Sequence, residues 1–269
     1  MPGSWVTSGA GGPHGTLFLE AFGQLSREAG RQGIVAGTAD LYLVFSARAA
    51  LMGWSTTPGR SSAAHIAGPQ IRPVLWWMSE AEWDAGNGTA RIGWVQVELE
   101  AGVEPAQALP PLIQCFDDTL RRFGVVEISG LQVTASYLPA AGESSAWDLR
   151  TGLAWFTPAL GPRAEALVAF DTGLLQERSG TEFVARLQRM SGSSFEFGPL
   201  VPVPAQHSIQ IPAEAPFDVV LSPAQWGVSV RLPEWSASAV AWALAVVVDA
   251  ARASEPGTRN FLVRLTRVP

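Results

Sequence analysis

The chain has 269 residues, 47% of them apolar, and a net charge of −6. That length suits one large domain or two small ones, and the acidic balance disfavours nucleic acid, which needs a basic footprint. All 18 basic residues are arginine, which excludes lysine Schiff-base chemistry and a Walker A loop, while the lone Cys115 excludes an intrachain disulfide and a thiolate metal cluster.

Residues 1–15 are rich in Gly, Ser and Pro and are expected to be disordered. Runs 17–22 and 41–45 read as strands, 54–69 as a loop, and 71–78 as a strand rich in aromatics. Residues 94–100 alternate, with Val95, Val97 and Leu99 on one face and Trp94, Gln96, Glu98 and Glu100 on the other. A helix follows over 105–123. Pro105 suits its first turn, and Leu109, Leu112, Ile113, Phe116, Leu120 and Phe123 recur at helical spacing. Residues 125–136 form a strand, and 139–148 read as a Pro/Ala/Gly/Ser linker. Beyond it, 167–170, 183–187, 209–221 and 227–232 are expected strands, 237–253 a helix apolar nearly all round, and 259–268 a final strand. No stretch reaches the ~20 uninterrupted apolar residues of a membrane span. No secretory leader is legible, so no membrane association and a cytoplasmic location are expected.

The chain resembles itself. Residues 76–83, Trp-Trp-Met-Ser-Glu-Ala-Glu-Trp, read again as 219–226, Val-Val-Leu-Ser-Pro-Ala-Gln-Trp. Residues 37–38 match 180–181, 19–22 match 167–170, 95–99 match 228–232, and 133–134 match 265–266. The expected fold class is therefore α+β and internally duplicated, with two mostly antiparallel sheets each packed on one long helix. The expected boundaries are a first repeat at 16–138, a linker at 139–152 and a second repeat at 153–269.

Standard catalytic signatures are missing. The glycines at 9, 11, 12 and 15 have no strand before them, Gly59-Arg60-Ser61-Ser62-Ala63 lies in a loop, and His14, His65 and His207 are far apart in sequence. Neither a metal nor an organic cofactor is expected. What remains is polarity on strands. Glu98 shares a face with Gln96, and its counterpart in the second copy is Arg231. Tryptophans near a carboxylate desolvate it and raise its pKa, which suits a general acid/base. Trp76 and Trp94 lie on this strand or the one before it. Arg72 shares a face with Trp76 and reads either as a carboxylate clamp or as a structural partner of Glu98 or Asp84.

Arg72, a strand glutamate about 26 residues later and the tryptophan-lined strands resemble the cofactor-free Pictet–Spenglerases of actinobacterial β-carboline pathways. The resemblance covers mainly residues 70–100, and Asn87 stands where it would imply a histidine. It implies an arylethylamine and an aldehyde as partners, condensed to a tetrahydro-β-carboline in a homodimer. Glu98 would move the proton, and Arg72, Trp76, Gln96 and Arg231 would bind substrate. A non-catalytic small-molecule-binding or assembly protein with the same duplicated fold is the alternative. A pocket around Glu98 separates the two: buried in the enzyme, exposed in the binding protein.

Overall fold

The structure is a computed structural model and describes residues 15–26, 40–56, 74–83, 91–136, 152–154, 156, 162–171, 177–211, 214, 221, 225–254 and 260–268. Its elements run β1 (Thr16–Ser26), α1 (Leu41–Leu51), β2 (Ser55–Thr56), β3 (Trp76–Trp83), β4 (Arg91–Leu99), α2 (Pro105–Arg121) and β5 (Val125–Ser136). They continue as β6 (Ala164–Asp171), α3 (Glu177–Ser191), β7 (Glu196–Pro202), β8 (Gln225–Leu232), α4 (Ala237–Ser254) and β9 (Asn260–Arg267).

The α+β class holds, but the strands form one nine-stranded sheet rather than two, in the order β2-β3-β4-β1-β5-β9-β6-β8-β7. The reason is the central seam. β5 and β9, the last strands of the two halves, pair antiparallel from Gly130 opposite Thr266 to Ser136 opposite Asn260. Joining them removes two open edges, which would otherwise expose unpaired backbone groups. Setting the two-residue β2 aside, each half runs strand–helix–strand–strand–helix–strand. Each half also orders its strands second-third-first-fourth from the outer edge inward.

Among the described residues, four α-helices rather than two cover one face. The inward row of every long strand packs with them into a single core, from Leu19, Val95 and Val133 to Val168, Val228 and Leu265. α4 lies in the middle of that layer against both α2 and α3. It is the one helix among the described residues long and apolar enough to cross a membrane, yet its Val240, Leu244, Val246, Val247 and Val248 are buried in this core. Glu104, ahead of α2, accepts from Arg252 of α4 at 2.7 Å, tying the two helices together.

Several expected strands fold otherwise. Residues 41–45 open helix α1, because the Asp40 side chain accepts from the Tyr42 amide and the run continues through Arg48, Ala49 and Ala50. Leu41, Phe45 and Ala49 then bury at a four-residue spacing. Residues 183–187 lie inside α3, where Phe183 and Leu187 face the core. β7, with Gly198, Pro199 and Pro202, was not anticipated. Proline is tolerated there because β7 is an edge strand. The described part of 209–221 contains no strand. The expected 71–78 strand starts later, at Trp76. The tail, the loop at 84–90 and most of the linker lie outside the described residues.

The sequence matches also need two corrections. Pairing 95–99 with 228–232 agrees with the sheet, since Val97 lies opposite Leu17 and Val230 opposite Ala166. The octapeptide match does not. Trp83 ends β3, whereas Trp226 lies in β8, which holds the sheet position of β4. Matching Glu20 to Val168 is off by one residue, which in a strand means the opposite face. Val168 packs under the helices, while Ala169 faces away, as Glu20 does.

Candidate functional site

The uncovered face of the sheet carries a row of residues directly opposite one another: Trp94, Glu20, Gln132, Arg264, Ala169 and Gly227. Its centre is polar and buried. Glu20 is 3% exposed and Gln132 1%. Alternation along β1 puts Glu20 on this face, between Leu19 and Ala21 on the core side. Arg91 reaches it through an irregularity. The β1–β4 register slips between Ala21 and Phe22, so Phe22 faces Arg91 and Ile92 is skipped. Ile92 joins the helix-side core, and Arg91 turns to the open side. β1 breaks register against β5 next door, at Gly23 (φ 144°), where an added Cβ would collide with the Glu127 carbonyl.

The contacts form a cluster. Arg91 Nη1 donates to Glu20 Oε1 at 3.1 Å, and the same guanidinium grips both oxygens of Glu214 at 3.0 and 2.8 Å. Gln132 Nε2 donates to Glu20 Oε2 and to the Gln210 carbonyl, each at 2.7 Å. Arg264 stacks 4.2 Å over Phe22 and donates to the Ser208 carbonyl at 3.2 Å. On the flank, Phe18 and Trp94 stack with centroids 5.0 Å apart.

These donors hold a strap, residues 203–211, against the sheet. Gln225 reads it twice, accepting from the Ile209 amide at 2.7 Å and donating to the Ile209 carbonyl at 3.1 Å. The Ile209 side chain seats on Ala169 and Leu262.

Burial is the largest influence on Glu20. It raises the carboxyl from 4.5 to about 7, against the lowering effects of Arg91 and of the Gln132 hydrogen bond, and the charge of Glu214 pushes the same way. Arg91 lowers Glu214, and burial lowers Arg264. The cluster can therefore hold or release one proton near neutrality. Both Glu20 oxygens are already engaged and almost no surface is open, so that proton lies out of reach of a bulky substrate. Cys115 is no nucleophile either, since burial pushes its thiol up to about 12. Among the described residues, no group of three His, Cys, Asp or Glu side chains could hold a metal ion.

The residues expected from the sequence do not converge. Glu98 is exposed, opposite Thr16 and Trp77. Gln96 is half-buried opposite Phe18 and Glu80. Trp76 is fully buried on the other face, 6.1 Å from the ring of Trp54. Arg231 is exposed and pairs with Glu165 at 3.3 Å and Glu196 at 3.7 Å. Five strand spacings separate β4 from β8, roughly 24 Å, so Glu98 and Arg231 share no cleft. Arg72 lies outside the described residues. Glu20 was missed, although a lone carboxylate inside the apolar run 17–22 marks it.

A second feature lies at the far edge. Gly180, Thr181, Val184, Ala185 and Gln188 line one wall of a groove of about 480 Å³, and Gly198, Pro199 and Leu200 of β7 line the other. Gln188 Nε2 donates to the Phe197 carbonyl at 3.0 Å and pins the helix to the strand. No protein-family model, curated protein or solved structure matches the chain.

Proposed function

We propose that this protein is a non-catalytic binding protein, built from two copies of one α+β unit, which takes an apolar ligand in the groove between α3 and β7. One observation carries the choice over an enzyme: Glu98 is exposed, so it lacks the water-excluded pocket that a proton-shuttling carboxylate needs. The groove has the size of a small-molecule site, with Val184, Ala185, Pro199 and Leu200 as its apolar members and Thr181 and Gln188 as polar ones. The shared element order of the halves supports the duplication. A cytoplasmic location fits the composition.

The test is a titration with an apolar fluorophore such as anilinonaphthalene sulfonate, on the parent and on Ala185→Trp, which fills the groove. Saturable binding lost in the variant supports the reading, and equal binding by both, or none by the parent, overturns it.

Pictet–Spengler cyclisation is the second reading, favoured by Glu20, a carboxyl near neutrality beside the Phe18–Trp94 stack, and it requires the strap 203–211 to lift, because Glu20 is otherwise out of reach of a bulky substrate. Its test is incubation with tryptamine or tryptophan and an aldehyde. A tetrahydro-β-carboline formed above the uncatalysed rate, and lost in Glu20→Gln, would restore the enzyme reading.

A further inference from the structure

We propose that Glu20, Arg91 and Glu214 form a proton-operated latch that holds the strap 203–211 on the sheet and loosens it as the solution turns alkaline. The inference is independent of the α3–β7 groove. It rests on who shares Arg91. Nη1 lies 3.1 Å from Glu20 Oε1 and 3.0 Å from Glu214 Oε2, so the sheet carboxylate and the strap-side carboxylate draw on the two N–H groups of one guanidinium nitrogen. Glu214 anchors the strap end from beyond Ile211, and the strap is tied further by the Gln132 and Arg264 bonds to its carbonyls, the paired Gln225–Ile209 bonds, the Val203 amide to the Gln225 carbonyl, and the Ile209 seat.

The charges around Glu20 come from every neighbouring element among the described residues. Arg91 stands on β4, Arg264 on β9 and Glu214 at the strap, while β5 contributes the neutral Gln132. With Glu20 neutral, Arg91 has Glu214 as its anionic partner in this trio. With Glu20 ionised, two carboxylates compete for one guanidinium and repel each other. The strap end then carries the weaker bond, because Glu20 is fixed within β1 and Glu214 is 36% exposed at its side chain. Burial places that ionisation at about 7, within the physiological range. The released strap would uncover buried groups that have no hydrogen-bond partner, Gln132 Oε1 and Thr134 Oγ1.

Hydrogen exchange of the Ile209 amide, which Gln225 Oε1 holds at 2.7 Å, reports release of the strap. Protection, corrected for intrinsic exchange, is compared at pH 6 and pH 8. In the parent it should fall about 10-fold across that interval. Glu20→Gln keeps the shape but cannot ionise, and should stay protected at both pH values. Glu214→Gln, at a partly exposed position, should be weakly protected at both, with no step. His207→Asn removes the strap's own titratable side chain and should keep the step. Uniform protection in the parent overturns the latch. So does a step that survives in Glu20→Gln or Glu214→Gln, or one that vanishes in His207→Asn.

Discussion

On the helix side of the sheet, Val95, Leu19, Val133, Val263 and Phe170 stand in one cross-strand row, all buried and all apolar. One residue along each strand, on the other side, the row reads Trp94, Glu20, Gln132, Arg264 and Ala169. The same backbone ladder serves both. The first row can exchange one hydrocarbon for another with losses set by volume alone. The second needs a specific partner for every polar atom, because a buried group left alone loses its hydration without recompense. Stability is concentrated on one face and pH sensitivity on the other.

The largest effect should come from the dry row. Phe170 is fully buried and meets Phe183 edge-on, with centroids 5.2 Å apart. Phe170→Ala should lower unfolding free energy by about 3–5 kcal/mol, read as a shift in urea midpoint that does not depend on pH. A loss that changed strongly between pH 5 and pH 8 would blur the division between the faces.

The wet row should show the opposite signature. The folded chain holds the Glu20 proton to about pH 7, and the unfolded chain gives it up near 4.5. Between those values the folded state binds more protons, so the Glu20 contribution is full below pH 4.5, declines as pH rises to 7 and is flat above. The stability of the parent relative to Glu20→Gln should therefore fall by on the order of 3 kcal/mol across that window. A constant difference would mean that Glu20 is not held neutral. Arg91→Ala sharpens the point. It should cost about 2 kcal/mol at pH 8, where Glu20 is ionised and loses its cation, and less at pH 5, where Glu20 is neutral.

The dry face was readable in the sequence because alternation and helical spacing report it directly. Val95, Val97 and Leu99 were placed correctly, as were α2 and α4. α1 and α3 were misread because short apolar runs such as 41–45 fit either period, and the cap at Asp40 decides the matter. The single sheet was illegible because the β5–β9 seam consists of backbone bonds between strands more than a hundred residues apart. The wet cluster was hidden for a related reason. Its members sit on β1, β4, β5, β9 and the strap, and Arg91 reaches it only through a bulge that flips the face expected from strict alternation. Alternation showed that Glu98 leaves the core. It carried no information on whether anything covers that side.

The smallest effect should lie where charge is wet on both sides of the comparison. Glu98 is exposed on β4, and Arg231 is 59% exposed at its side chain, in loose pairs with Glu165 and Glu196. Exposed pairs of this kind contribute under about 1 kcal/mol, because water and salt screen them and long side chains lose freedom when held. Glu98→Gln and Arg231→Ala should each shift stability by less than about 0.5 kcal/mol, with the shift shrinking further in 1 M salt. Neither should change fluorophore binding in the α3–β7 groove, since neither residue lines it. A larger loss for Glu98→Gln, in stability or in binding, would show that something outside the described residues covers the Glu98 side. The functional site would then belong beside β4 rather than at the far edge of the sheet.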